Sequence, residues 1–250
     1  YFDNQDLWFE LLQHGESDSP EWLRELTKDE LSFDGAVRVL SNHGLVEVAT
    51  SSQESTESKG YSIHGCVHSW TIHALNQKWD YDLARLAVKF VAAHVPGDKD
   101  IQPLLLQRRL LQHAARCSHM FSKSLVRDDE LADDCHNLGY LYANQGKLVE
   151  AKQMYQRALQ GYEKAISPDL ISTYVPALTI TFNLGLLFER EDDITTARTM
   201  FSEALRGYKQ VFGPDHAKSE TVRNKLCALN AMLKNKAPEE IEEHLEDVPT

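Results

Sequence analysis

The sequence lacks any run approaching the ~20 apolar residues that a membrane-spanning helix needs, so no bilayer-crossing segment is expected in its 250 residues. It also lacks a Gly-x-x-x-x-Gly-Lys-Ser/Thr loop. Without that cradle of backbone N–H groups there is no site for a Mg-nucleotide, and ATP hydrolysis by this piece is not expected. Positive charge is in short supply: 26 Lys and Arg face 38 Asp and Glu, a net charge of -12. A surface this acidic argues against nucleic acid or an anionic membrane as the main partner. Cysteine is scarce, and Cys66, Cys117, Cys135 and Cys227 have neither metal-type nor redox spacing. They read as buried or incidental thiols of a reducing, cytoplasmic compartment. No His-Glu-x-x-His occurs. The one cluster of candidate ligands is His64, Cys66, His68 and His73, where His64 and His68, four apart, could share a helix face. Three ligands from one short segment rarely complete a tetrahedral site, so no metal is expected. No base, orienting group or oxyanion hole accompanies Cys66, so no catalytic residue is assigned and the chain is not expected to be an enzyme. An initial Met is missing too; the chain opens Tyr1-Phe2-Asp3 and is read as a piece of a longer protein.

What is present is a repeat. Asn137-Leu138-Gly139-Tyr140-Leu141-Tyr142 is answered by Asn183-Leu184-Gly185-Leu186-Leu187-Phe188. Ala151, Tyr155, Ala158, Gly161-Tyr162 and Pro168-Asp169 are answered by Ala197, Phe201, Ala204, Gly207-Tyr208 and Pro214-Asp215, every pair 46 residues apart. A fixed period of this size marks stacked helical hairpins. Gly139 with Ala151, and Gly185 with Ala197, let the two helices of a hairpin approach closely, and Tyr142, Tyr155, Phe188 and Phe201 fill the space beside them. Gly146 and Asp192-Asp193 supply the turns. Pro168 and Pro214 follow the second helices, where the chain must turn back. A third copy begins at Pro214, keeps Asn224 and Leu226, and then turns polar, as a capping element should.

These residues resemble the tetratricopeptide repeat. Leu138-Gly139, Tyr142, Ala151, Tyr155 and Ala158 fit its pattern, as do Leu184-Gly185, Phe188, Ala197, Phe201 and Ala204. The family's tryptophan is replaced by Cys135 and Thr181. The long second helix ending in Gly213-Pro214-Asp215-His216 resembles the kinesin-light-chain type, with about one extra helical turn in Leu170 to Thr181. The resemblance implies a concave peptide-binding groove, built from the first helix of each hairpin. In it an asparagine just before Leu-Gly clamps the peptide backbone. Asn137 and Asn183 stand there, and Asn224 lies one residue earlier in the third copy. A side-chain amide both donates and accepts, so it can pair with an extended backbone without reading its sequence. His136, Tyr140, Phe182 and Arg190, with Asp133 and Leu186, would share that face. The alternative use of the asparagines, tying neighbouring helices together, needs the same hydrogen-bonding capacity and stays open.

The first part of the chain reads as three helices and a hairpin: Asp3 to Gln13, a segment opened by Pro20 with Trp22, Leu23 and Leu26, and Ser32 to Asn42, then strands at Leu45-Val48 and Tyr61-Ile63 across a polar loop. That is the order of a winged helix. Residues 1–79 carry five Lys and Arg against thirteen Asp and Glu, so DNA binding is not expected. Asp29 to Ala36, Leu45-Val46-Glu47 and Tyr61-Ser62-Ile63-His64 resemble the winged-helix segment of NLR-like signalling ATPases of the NB-ARC class. In fungal members that segment is followed by a helical connector and kinesin-light-chain-like repeats. The family's Met-His-Asp signature, whose histidine touches bound ADP, corresponds to Ile63-His64-Gly65; His64 carries over and the acidic residue does not.

Between these parts, helices are expected from about Tyr81 to His94 and from about Gln102 to Phe121. The second would carry Leu105, Leu106, Leu110, Leu111, Ala114 and Ala115 on its apolar face, and Arg108, Arg109 and Arg116 at the solvated surface. The expected fold is mainly α: a winged helix with a small β hairpin (1–79), a helical connector (80–130), a tetratricopeptide-type α-solenoid (131–235) and an acidic tail (236–250). The resemblances imply a non-catalytic interaction and regulatory region of an NLR-like protein, binding a protein or peptide. ADP or ATP would enter only through an upstream nucleotide-binding module. The alternative is a stand-alone adaptor with a structural winged helix. Self-association of the piece stays open.

Overall fold

A computed structural model describes residues 1–13, 19–48, 59–75, 78–97, 103–127 and 130–243. The chain is mainly α-helical with one small sheet, and it divides into two compact units, Tyr1–Glu150 and Ala151–Thr250.

In the first unit, β1 (Leu7–Trp8) leads directly into α1 (Phe9–Leu12), followed by α2 (Glu21–Leu26) and α3 (Glu30–Asn42). Asp29 caps α3, its carboxylate accepting the Ser32 N–H at 2.7 Å. Gly44 stops it at φ +66°, with its N–H on the Ser41 carbonyl and that of Leu45 on the Leu40 carbonyl. The chain then enters β2 (Val46–Val48), within the strand expected there, and returns through β3 (Gly60–Ile63), which starts one residue earlier than expected. The sheet is antiparallel, in the order β1-β3-β2.

Two expectations are corrected. The hairpin is the larger part of a three-stranded sheet, and the helix expected from Asp3 to Gln13 is helical only over Phe9–Leu12. The cause sits at Asp6, whose φ of +52° interrupts any helix and swings Leu7 and Trp8 onto the edge of β3, opposite Tyr61 and Gly60. Gly60 is required there, because a Cβ would collide with the Asp6 carboxylate. Trp8 and Leu11 go into the core at 3% and 0% exposure.

After β3 come α4 (Gly65–Trp70), a π turn (Thr71–Leu75), α5 (Tyr81–Ala93), α6 (Pro103–Ser122) and α7 (Ala132–Asn144). Asp80 caps α5 by accepting two N–H groups at 3.0 Å. α5 packs against both α6 and α7, which buries Ala84, Leu86, Ala87, Val88, Phe90, Val91 and Ala92. The buried face of α6 differs from the leucine stripe expected. It consists of Gln107, Leu110, His113, Ala114, Cys117, Met120 and Phe121, while Leu104, Leu105 and Ala115 are exposed. Polar anchors set this face. Gln107 accepts from Gln145 at 2.8 Å, and His113 bonds the backbone of Asp3 and Asp6. Arg109 is likewise no solvated surface arginine, because it ion-pairs with Asp6.

α8 (Leu148–Ala165) begins in the first unit and continues into the second, where α9 (Pro168–Ile171), α10 (Val175–Arg190), α11 (Ile194–Phe212) and α12 (Ala217–Glu243) follow. The extra turn expected in Leu170 to Thr181 is accounted for by α9 and the early start of α10. The turn positions obey the repeat: Gly146 has φ +72° and its counterpart Asp192 has φ +61°. Asp193 then caps α11 through the Thr196 N–H at 3.1 Å. α10 packs on α11 and α11 on α12 around Leu178, Ala197, Phe201, Ala204, Tyr208, Val222 and Leu229. A Cβ on Gly185 would stand 2.6 Å from the Phe201 ring, so the small residue of the motif permits this contact. Gly207 does the same for Leu178 and the Ser172 carbonyl. Of the acidic tail, the helix backbone extends to Glu243, and 244–250 lie outside the described residues, as does most of the polar loop between β2 and β3.

Candidate functional site: the first helices of the repeats

In the first unit, α7 turns Cys135, Leu138, Leu141 and Tyr142 inward. Tyr142 shares a 2.8 Å hydrogen bond with the Ser118 hydroxyl, and burial pushes its phenol pKa up. The remaining face carries Asn137, exposed, with His136 and Tyr140 half-buried beside it. Burial lowers the pKa of His136, opposed by the charge of Asp133. A neutral imidazole on this face can both donate and accept at neutral pH.

In the second unit, α10 repeats the arrangement. Leu184, Gly185 and Leu187 are buried, and Phe182, Leu186 and Arg190 succeed one another every fourth residue along one face. Phe182 leans on Phe201 at 5.4 Å between ring centroids, and Leu186 packs against the same core, so only part of each ring or side chain is open. Arg190 is exposed at the last turn. Asn183 is half-buried and its amide donates to the Tyr155 hydroxyl at 3.4 Å, the long limit of a hydrogen bond. On α12, Asn224 is exposed while Val222 and Leu229 point inward.

This half-buried first-helix face is carried twice at one spacing, and on α10 its small residue, Gly185, meets an aromatic of the second helix. Residues 135–169 and 183–218 match the tetratricopeptide repeat. The matched segments are the two copies, and proteins built from this repeat generally mediate protein–protein contacts and are typically non-enzymatic. A crystal structure of BtubC (BKLC) from P. vanneervenii is also similar, at 20% sequence identity and a TM-score of 0.38, over 64% of this chain and 66% of that one. The chain thus spans just under two thirds of the length of that protein. Among curated proteins, none matches the chain.

Charged groups that no sequence pattern announced frame the α10 face. Lys152 reaches Glu191 at 2.5 Å and lies 4.4 Å above the Phe188 ring. Lys225 reaches Glu189 at 2.8 Å. The available signal is the charged end of α10 and its C-cap, Glu189-Arg190-Glu191.

The histidines near β3 do not converge. His64 is the exposed N-cap of α4, its Nδ1 accepting the Cys66 N–H at 3.3 Å. His68 Nε2 lies 3.2 Å from the Phe2 carbonyl oxygen, and burial lowers its pKa. His64 thus stands at a helix start, and the two imidazoles have separate partners. Among the described residues no group of three His, Cys, Asp or Glu side chains is placed to hold a metal ion. Among them, too, no helix is long and apolar enough to cross a membrane.

Proposed function

We propose that the chain is a non-catalytic, cytoplasmic protein-interaction region whose repeats bind an extended peptide or a protein partner through Asn137, Asn183 and Asn224, helped by His136, Tyr140, Phe182 and Arg190. The observation that carries this reading is the repeated placement of an asparagine beside a half-buried aromatic or imidazole on the first helix of each hairpin, with its amide at most weakly committed. Such an amide can complete hydrogen bonds to a peptide backbone, while the neighbouring rings supply apolar contact. The net charge of -12 supports a protein ligand over nucleic acid or anionic lipid.

The finer proposal is that the region belongs to an NLR-like signalling protein, with 1–79 as a regulatory winged helix, 80–130 as connector, 131–235 as sensor and 236–250 as an acidic tail. In support stand the order α2, α3, β2, β3 and the location of His64 at the end of β3, where a nucleotide-contacting histidine would be presented to an upstream module. The alternative, a stand-alone adaptor, rests on the same repeats. The test is a peptide-display selection on the whole chain, repeated with Asn137→Ala/Asn183→Ala. A peptide class enriched by the parent and lost in the folded double variant supports the groove. Enrichment unchanged by the double variant overturns the assignment of the asparagines.

A further inference from the structure

A second candidate site lies in the first unit and is lined by none of the repeat residues. A pocket of about 230 Å³ opens between the N-terminal segment, α1, α2 and α5. Its walls include Phe2, Leu12, Trp22, Leu26, Leu83 and Phe90, and they expose essentially no polar atoms. Among the lining side chains, the Tyr1 hydroxyl is already engaged, accepting the Asp80 N–H at 3.2 Å. Phe2 and Phe90 stack with centroids 6.5 Å apart, Leu23, Leu86 and Phe90 form a buried cluster beneath, and Trp22 stands at the mouth, 59% exposed.

Protein interiors contain few voids larger than a water molecule. The walls of this open pocket give water no hydrogen-bonding partner, whereas a water held in place needs two to four. An apolar cavity of roughly 150 Å³ takes up one benzene ring, and this pocket is about half as large again. The lining offers nothing to a charge, whose desolvation would go uncompensated. From these features we infer that the pocket is a binding site for a neutral, apolar small molecule of about two fused aromatic rings.

The experiment titrates the whole chain with naphthalene, indole and 2-naphthoate, reading leucine methyl resonances by NMR and Trp fluorescence. Saturable binding of naphthalene is expected, with indole at least about tenfold weaker because its N–H finds no acceptor, and 2-naphthoate weaker still. Ala87→Phe places a ring in the pocket and abolishes binding while leaving the helical circular dichroism intact. Leu26→Phe narrows the pocket from α2 and serves if Ala87→Phe does not fold. Absence of a saturable shift up to the solubility limit of naphthalene overturns the inference. So does a shift that persists unchanged in the folded variants, or 2-naphthoate binding as tightly as naphthalene. None of these outcomes depends on Asn137 or Asn183, so this site and the peptide groove stand or fall separately.

Discussion

Replacing Asp6 by Asn isolates the contact that fixes β1. Asn tolerates a left-handed backbone about as well as Asp, so φ +52° is kept and only the charge is lost. Asp6 receives Arg109 in a two-pronged pair, Nε at 2.8 Å and Nη2 at 2.9 Å. Both side chains are largely removed from water, at 12% exposure for Arg109 and 14% for Asp6. Arg109 also lies 4.2 Å from the centroid of the Trp8 ring. At an effective dielectric of about 20, unit charges about 4 Å apart attract by roughly 4 kcal/mol, and that attraction offsets the cost of desolvating both. Removing one charge leaves the guanidinium uncompensated, and such breaks cost about 3–5 kcal/mol when burial is complete. The residual exposure here and the hydrogen bond an Asn oxygen still accepts reduce the expected loss to about 2–4 kcal/mol. Urea unfolding followed by Trp fluorescence reads this directly, and a Tm fall of about 5–10 °C should accompany it. Asp6→Asn/Arg109→Met removes both charges and should lose less than the two single changes added, by about 1–3 kcal/mol. Amides of Leu7 and Trp8 should lose exchange protection first. A single variant within about 0.5 kcal/mol of the parent, with those amides still protected, would refute the reasoning.

His113 predicts an acid-labile first unit. The Asp3 N–H donates to its Nδ1, so Nε2–H donates to the Asp6 carbonyl, and protonating Nδ1 would set two donors against each other. Burial holds its pKa below the ordinary 6.5, partly opposed by Asp3 and Asp6. The unfolded chain therefore takes the proton first, and stability present above pH 6.5 is lost as pH falls toward the folded pKa. Denaturation midpoints measured from pH 8 to 5 should show this slope, and His113→Gln should flatten it. Gly185→Ala should destabilise the second unit by about 1–3 kcal/mol, because overpacking against Phe201 outweighs the gain of about 1 kcal/mol in helix propensity; thermal melts decide the sign. Asn183→Ala should change stability by less than about 0.5 kcal/mol, since its bond to Tyr155 is long. A larger loss would assign Asn183 to tying helices together.

The repeats were the most legible part of the chain because their determinants are local and doubled. Gly185 against Phe201, Gly146 and Asp192 at the turns, and Pro168 and Pro214 at the ends are all recoverable from one spacing. The face of α6 was not. Its leucines out-shout its polar residues in any hydropathy reading, yet Gln107, Arg109 and His113 find partners 38 to 110 positions away, and those partners decide which side is buried. β1 was missed for the same reason. Leu7, Trp8, Leu11 and Leu12 fit a helical stripe, and bonds from Asn4 and Asp6 to residues 56 to 103 positions away set the backbone against it. On the face proposed to bind a partner, the asparagines and rings share the repeat's spacing, but the ion pairs around Phe188 join residues with no shared periodicity.

The Asp6–Arg109 pair joins residues 103 positions apart, which gives the order of synthesis a consequence. As the chain leaves the ribosome, β3 is complete some fifty residues before its latch. Through that interval Leu7 and Trp8 are held on the strand's outer edge by local bonds alone, Asn4 with the Ile63 backbone and the Asp6 N–H with the Ser62 hydroxyl, without the ion pair that locks Asp6. An open strand edge is a template for pairing with other chains. Nascent chains stalled shortly before residue 109 should therefore depend on holding chaperones, and chains released just beyond α6 should not.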